Sequence, residues 1–229
     1  MIALKSALGD MEPRKSLRNY VIACAVIALP WIVGTVLFNG IERFPHNDDW
    51  LYARSVQGWM KSGDYHHVTQ HGELAASVAA HVAWGKVFHF AQPFSMKTLH
   101  LSQAVAAWLA CCAVFVLARH AGVCFLTSCS LALVLAVCPL FYGHSFTFMT
   151  DVTALSLVAI AMLCFHLALR DLPNRVSQLW LVSGGIVTAL AFWCRQTHIL
   201  CLVYPGLLLL MHCKEMKFCG IRRHLGLLV

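Results

Sequence analysis

Residues 98–117 read TLHLSQAVAAWLACCAVFVL, twenty positions without an Asp, Glu, Lys or Arg. A helix of about 20 apolar residues spans the hydrocarbon core of a bilayer, and this stretch has both the length and the composition. Similar runs occupy residues 20–38, 123–141 and 151–169, and a longer one fills 176–211. The polar Arg195-Gln196-Thr197-His198 divides the last run into two halves, each shorter than a full crossing. Gly, Pro, Ser and Cys fall inside the runs without the strict alternation of a membrane strand, so helices rather than a barrel are expected.

The rest of the composition agrees. Of 229 residues, 59% are hydrophobic and only 12% charged, about half the roughly 25% of a soluble domain. The net charge of +7 is scattered between the apolar runs. Nucleic-acid binding needs a basic face and is not expected. Eleven cysteines include no C-x-x-C pair, and Cys111, Cys112, Cys124, Cys129, Cys138, Cys164 and Cys201 lie within apolar runs. They read as small packing side chains. Lys5, Arg14, Lys15 and Arg18 precede the first run, and no small-residue cleavage site follows it. An uncleaved first helix is expected.

The expected fold is therefore an all-α polytopic membrane bundle of about six transmembrane helices. Residues 1–19 form an N-terminal segment, 20–212 the transmembrane module and 213–229 a C-terminal tail. Eleven of the seventeen Lys and Arg lie before the first span, after the second and fourth, and after the sixth. The positive-inside bias puts those ends, and both termini, in the cytoplasm. The long segment 39–97 is then extracytoplasmic. Within it, 71–90 carries Glu73, His81, Lys86 and His89, too many ionisable groups for one crossing. That stretch and Trp50–Lys61 read as two juxtamembrane helices, the second of them capped by Asp48 or Asp49. This topology puts Asp48, Asp49, Asp151 and Arg195 on one side of the bilayer.

Four elements in order then carry a family resemblance. They are Asp48-Asp49-Trp50-Leu51-Tyr52-Ala53, Ser62-Gly63-Asp64-Tyr65, Phe148-Met149-Thr150-Asp151, and Gly184-Gly185 leading to Trp193-Cys194-Arg195-Gln196. The chain resembles the GT-C superfamily of polyprenyl-phosphate-sugar glycosyltransferases over about residues 18–211. Protein mannosyltransferases and bacterial aminoarabinose transferases, the glycosyltransferase family 39 type, are the branches it is most like. Two departures stand out. Gly72-Glu73-Leu74 replaces a Lys-Pro or Pro-Pro, and the family continues through several more spans, whereas this chain ends near its sixth. It reads as a member shortened at its C-terminus.

The resemblance implies sugar transfer from a polyprenyl-phosphate donor to a glycolipid, glycan or protein acceptor at the extracytoplasmic face, most simply of a bacterial inner membrane. It implies that Asp48 and Asp49 supply the base, with Asp151 as a further catalytic acid. Arg195, and with it Lys86, would bind donor phosphate through charge-assisted hydrogen bonds; Tyr52 belongs to the substrate-binding motif. Carboxylate oxygens also suit a divalent cation, Mg2+ or Mn2+, and the reading leaves that cofactor open. Each residue has a plainer role: Asp49 and Asp151 as helix caps, Arg195 snorkelling to lipid headgroups, and His66, His67 and His71 as solvated loop histidines. Two other classes compete. A remnant without catalysis would keep the helices alone, and a transporter would carry its polar groups at mid-span.

Overall fold

The computed structural model describes residues 13–37, 41, 49–65, 78–90, 92–170 and 175–207. The described elements are helical: α1 Pro13–Leu37, α2 Asp49–Ser62, α3 Ala79–Phe88, α4 Met96–His120, α5 Phe125–Ala136, α6 Pro139–His144, α7 Thr150–Arg170 and α8 Arg175–Cys194, followed by a 3₁₀ turn at Gln196–Leu202. Among the described residues, four helices are long and apolar enough to cross a membrane, lying within α1, α4, α7 and α8. The all-α membrane bundle is thus the observed architecture. Asp48 and the histidines at 66, 67 and 71 lie outside the described residues, as do residues 208–211 at the end of the expected sixth span.

Two spans differ from the sequence expectation. The run at 123–141 is not one helix. It is the twelve-residue α5 and the six-residue α6, separated at Val137-Cys138 with Pro139 opening α6. Proline lacks an amide donor and fits the first turn of a helix, where that donor has no partner. The pair still travels from one end of the bundle to the other. Arg119 at the end of α4 reaches the Val123 carbonyl, while Ser145 just past α6 accepts from Trp31 Nε1 at 2.7 Å. The second difference is at the expected sixth span, where Gln196–Leu202 is a 3₁₀ turn rather than α-helix. The expected fifth span stands as α8, which at twenty residues is long and apolar enough to cross a membrane.

Small residues let the helices approach. Ala104, Ala106, Ala107, Ala110 and Ala113 of α4 are buried against Ala23 and Ile27 of α1 and against Val152 and Ala159 of α7. Polar groups lock the register. Ser156 on α7 donates to the Ala106 carbonyl at 2.6 Å and Trp108 Nε1 to the Cys24 carbonyl at 2.9 Å. Without water in the bilayer core, a buried donor must find a partner within the protein. These pairings make α4 parallel to α7 and antiparallel to α1. Ser177 Oγ donates to the Ala168 carbonyl, so α8 returns antiparallel to α7. One end of the bundle therefore collects residues 31–37, 96–103, 145–153 and 195.

The juxtamembrane pair lies at that end. Ten residues of α3 make about 15 Å of helix, too short to cross. Trp84 Nε1 fastens it to α4 through the Ser102 carbonyl at 3.1 Å. An apolar cluster of Ala53, Val56, Val82, Leu99 and Phe148 joins α2, α3, α4 and the α6–α7 turn. The Ser62-Gly63-Asp64-Tyr65 stretch stops α2. Gly63 adopts φ 79°, its N–H reaches the Trp59 carbonyl at 3.1 Å, and Ser62 Oγ accepts from Asp64 N–H at 3.2 Å. Glycine is the residue that enters this left-handed cap without strain.

Gly85 sets how closely α3 settles. A methyl there would come within 2.6 Å of Phe148, 2.9 Å of Leu99 and 3.0 Å of Val56. Gly58 on α2 faces open space. Gly85→Ala is expected to cost about 1–3 kcal/mol through overpacking, whereas Gly58→Ala is neutral or stabilising by about 0.5–1 kcal/mol. Thermal unfolding of the two purified variants in one detergent checks the ordering.

Candidate functional site

Asp49 opens α2, in the first turn where a carboxylate complements the helix dipole. Its side chain is fully buried, and Oδ2 lies 3.0 Å from Nε2 of His100, which is also fully buried on α4. A carboxylate removed from water is costly without a donor, and an imidazole N–H supplies one. Tyr52, one turn along α2, sets its ring edge-on to His81 of α3 with centroids 5.3 Å apart.

His81 connects three elements. Its Nδ1 is 3.0 Å from Thr153 Oγ1 on α7, its Nε2 is 3.3 Å from the Phe148 carbonyl, and its ring stacks on Phe148 at 4.1 Å. Thr153 Oγ1 is also 3.0 Å from the Gln103 side-chain amide of α4. Burial pushes the imidazole down to about 4; the Phe148 carbonyl and the Asp49 charge oppose this but do not outweigh it. His81 is therefore neutral near pH 7, which orders the protons. An Nε2–H donating to the Phe148 carbonyl leaves Nδ1 as an acceptor, so the Thr153 hydroxyl must donate to it. Thr153 is then free to accept from Gln103. The Gln103 amide faces Thr153 through Oε1, with Nε2 buried and unpartnered. The two amide orientations are nearly isosteric, and turning it over gives a continuous chain from Gln103 N–H through Thr153 to His81 and the Phe148 carbonyl.

The second acid is differently placed. Asp151 lies in the first turn of α7 and Arg195 just past α8. Arg195 Nη1 is 2.7 Å from Asp151 Oδ1, and its Nε donates to Thr150 Oγ1 at 3.1 Å. The two side chains are 46% and 38% exposed, so the pair is a rim feature open to a ligand. Lys86 is directed elsewhere: its ammonium sits 4.1 Å from the centroid of the Trp59 ring on α2, a cation–π contact. Beside Asp49 a shallow cleft of about 310 Å³ is lined by Trp50, Ala53, Arg54, Gln57, Phe94 and Met96.

Asp49, Tyr52, Asp151 and Arg195 thus share one end of the bundle, but the two carboxylates have separate partners. Among the described residues no three His, Cys, Asp or Glu side chains converge as a metal site would require. An imidazole and a guanidinium already hold the two acids, so these residues do not fit a divalent cation. The sequence reading missed His100, Gln103 and Thr153. The signal was there: His100 and Gln103 fall three positions apart in an otherwise apolar span, hence on one face, and polar groups inside a span need partners.

The pH dependence follows from His81. Its folded value of about 4 lies below the ordinary 6.5, so its contribution is present above pH 6.5 and is lost as pH falls toward 4. At 1.36 kcal/mol per unit the full loss is about 3 kcal/mol. Unfolding of the wild type and His81→Asn, followed from pH 7.5 down to 4.5, should show the wild type losing stability more steeply. Parallel curves would disprove the assignment.

The family model described as dolichyl-phosphate-mannose-protein mannosyltransferase matches residues 86–229, more than half of the chain. The matched stretch includes Lys86, Asp151 and Arg195 and begins after Asp48, Asp49 and Tyr52. No curated protein and no solved structure matches.

Proposed function

The chain belongs to the dolichyl-phosphate-mannose-protein mannosyltransferase family, a group of GT-C membrane glycosyltransferases, and from that premise we propose that it moves a sugar from a polyprenyl-phosphate donor to a glycolipid, glycan or protein acceptor. The observation that carries this reading is the gathering of Asp49, Asp151 and Arg195 at one end of the bundle. We read that end as extracytoplasmic in a bacterial inner membrane, with a cytoplasmic N-terminus, because the Lys and Arg of the short connections lie mostly at the other end.

In this reading an acidic residue of the first loop, Asp48 or Asp49, takes the proton of the acceptor hydroxyl. The acceptor oxygen bonds to the anomeric carbon as the bond from that carbon to the phosphate oxygen breaks, and polyprenyl phosphate leaves with the electron pair. Arg195 meets the developing negative charge on the phosphate with a planar pair of donors. Asp151 and Thr150 hold the guanidinium in place beforehand, and the partial exposure of the ion pair lets a phosphate compete for it. Tyr52 lies one turn from Asp49, on the surface an acceptor would approach.

Full-length chain in proteoliposomes, given radiolabelled polyprenyl-phosphate sugars and a mixed acceptor pool, tests the proposal. Asp48→Asn and Asp49→Asn together should lower transfer by about 10²–10⁴-fold. Arg195→Gln should lose about 10–100-fold, the equivalent of one hydrogen bond to a charged group. Turnover unchanged in the Asp48/Asp49 double variant sinks the catalytic assignment.

Sidedness has its own measurement. Met149→Cys in a cysteine-free background should react with a membrane-impermeant maleimide added outside intact cells. Labelling only after the cytoplasm is opened reverses the orientation.

A further inference from the structure

Asp49 is the most deeply buried acid of the described site, and its surroundings explain more than helix docking. The Ala53–Val56 half of α2 is already fastened to α3, α4 and Phe148 through apolar contacts, and the Lys86–Trp59 contact holds its far end. Docking would be cheaper with an apolar pair in place of Asp49 and His100, because burying a carboxylate and an imidazole carries a desolvation cost. What the pair adds is direction. His100 Nε2, 3.0 Å from Oδ2, ties one carboxylate oxygen to the fifth residue of a twenty-five-residue helix. One turn further along the same face, Gln103 joins Thr153 of α7, three residues from the Thr150 that holds Arg195. The orientation of the first acid is thereby referred to the helix that carries the second.

We propose that His100 is a positioning residue for Asp49: it orients the carboxylate and, with Gln103 and Thr153, holds it in register with the Asp151–Arg195 pair. His100 contacts Asp49 and acts through it. The proposal rests on the transferase reading for its consequence in catalysis, but the control of Asp49 by His100 is measurable without any substrate.

Two arms test it on the full chain in lipid nanodiscs. Infrared difference spectra against the matching Asp49→Asn protein isolate the Asp49 bands. The wild type and His100→Gln, whose amide nitrogen reaches nearly the position of Nε2, should show the same carboxylate stretch. His100→Leu, which supplies no donor to that oxygen, should shift the stretch. In the kinetic arm, His100→Leu should lower kcat by about 100-fold, the scale of a misplacement of about 1 Å, with KM for the lipid donor nearly unchanged, and His100→Gln should recover most of the loss. A folded His100→Leu with the wild-type Asp49 spectrum overturns the proposal, as does equal loss in Leu and Gln variants with no spectral difference between them. Should His100→Leu not fold, His100→Asn replaces it: a donor of shorter reach, expected to give the shifted stretch and the reduced kcat. A spectral change in a wild-type background that transfers no sugar supports His100 as the positioner of Asp49 and refutes the transferase reading instead.

Discussion

The Thr153 hydroxyl lies within 3.0 Å of both His81 on α3 and the Gln103 amide on α4. A short interfacial helix, a membrane helix and α7 itself therefore meet at one buried oxygen. A single hydroxyl has one proton to give, and with a neutral imidazole donating Nε2–H to the Phe148 carbonyl that proton goes to His81 Nδ1 while Gln103 donates. Burial keeps the imidazole neutral, and the Phe148 carbonyl facing Nε2 selects the tautomer. The cost of any orphaned polar group in a lipid-embedded core makes the arrangement specific, and the candidate site inherits its geometry from it.

The two acids illustrate how placement divides roles. Asp49 is sealed from solvent and faced by an imidazole; Asp151 is at the rim and faced by a guanidinium. The rim pair contributes little to stability, because exposed ion pairs are worth about 0–1 kcal/mol. In the proposed transferase reading, its value lies in holding an always-charged, bidentate group in readiness for a phosphate. The buried pair is the reverse: costly to place, hence informative about what the site requires. Tyr52 belongs with it through its edge contact to His81, while Lys86 is absorbed by Trp59 and strengthens the α2–α3 junction.

Membership of a mannosyltransferase family and the shared end of the bundle bear on function from different directions. The family match covers the α7 and α8 residues and begins at residue 86, after the acids of the first loop. The packing, in turn, places Asp49 near that matched module through His100 and His81. The motif Ser62-Gly63-Asp64-Tyr65 turns out to be a left-handed stop for α2, and its physical role is to end a helix.

By itself the sequence determined the class: a chain this apolar, with charge confined to the gaps, has to be a helical membrane bundle, because lipid offers no partner for an open backbone. It also led to the expectation that 50–61 and 71–90 lie along the interface, because their charges make a crossing costly. The tertiary structure alone decided the interruption at Val137-Cys138, the 3₁₀ turn at Gln196–Leu202, and the partners of each acid. Periodicity and hydropathy report which groups leave water. They do not report which buried donor meets which acceptor across helices far apart in the chain, and that pairing is set by close packing of small residues along α4.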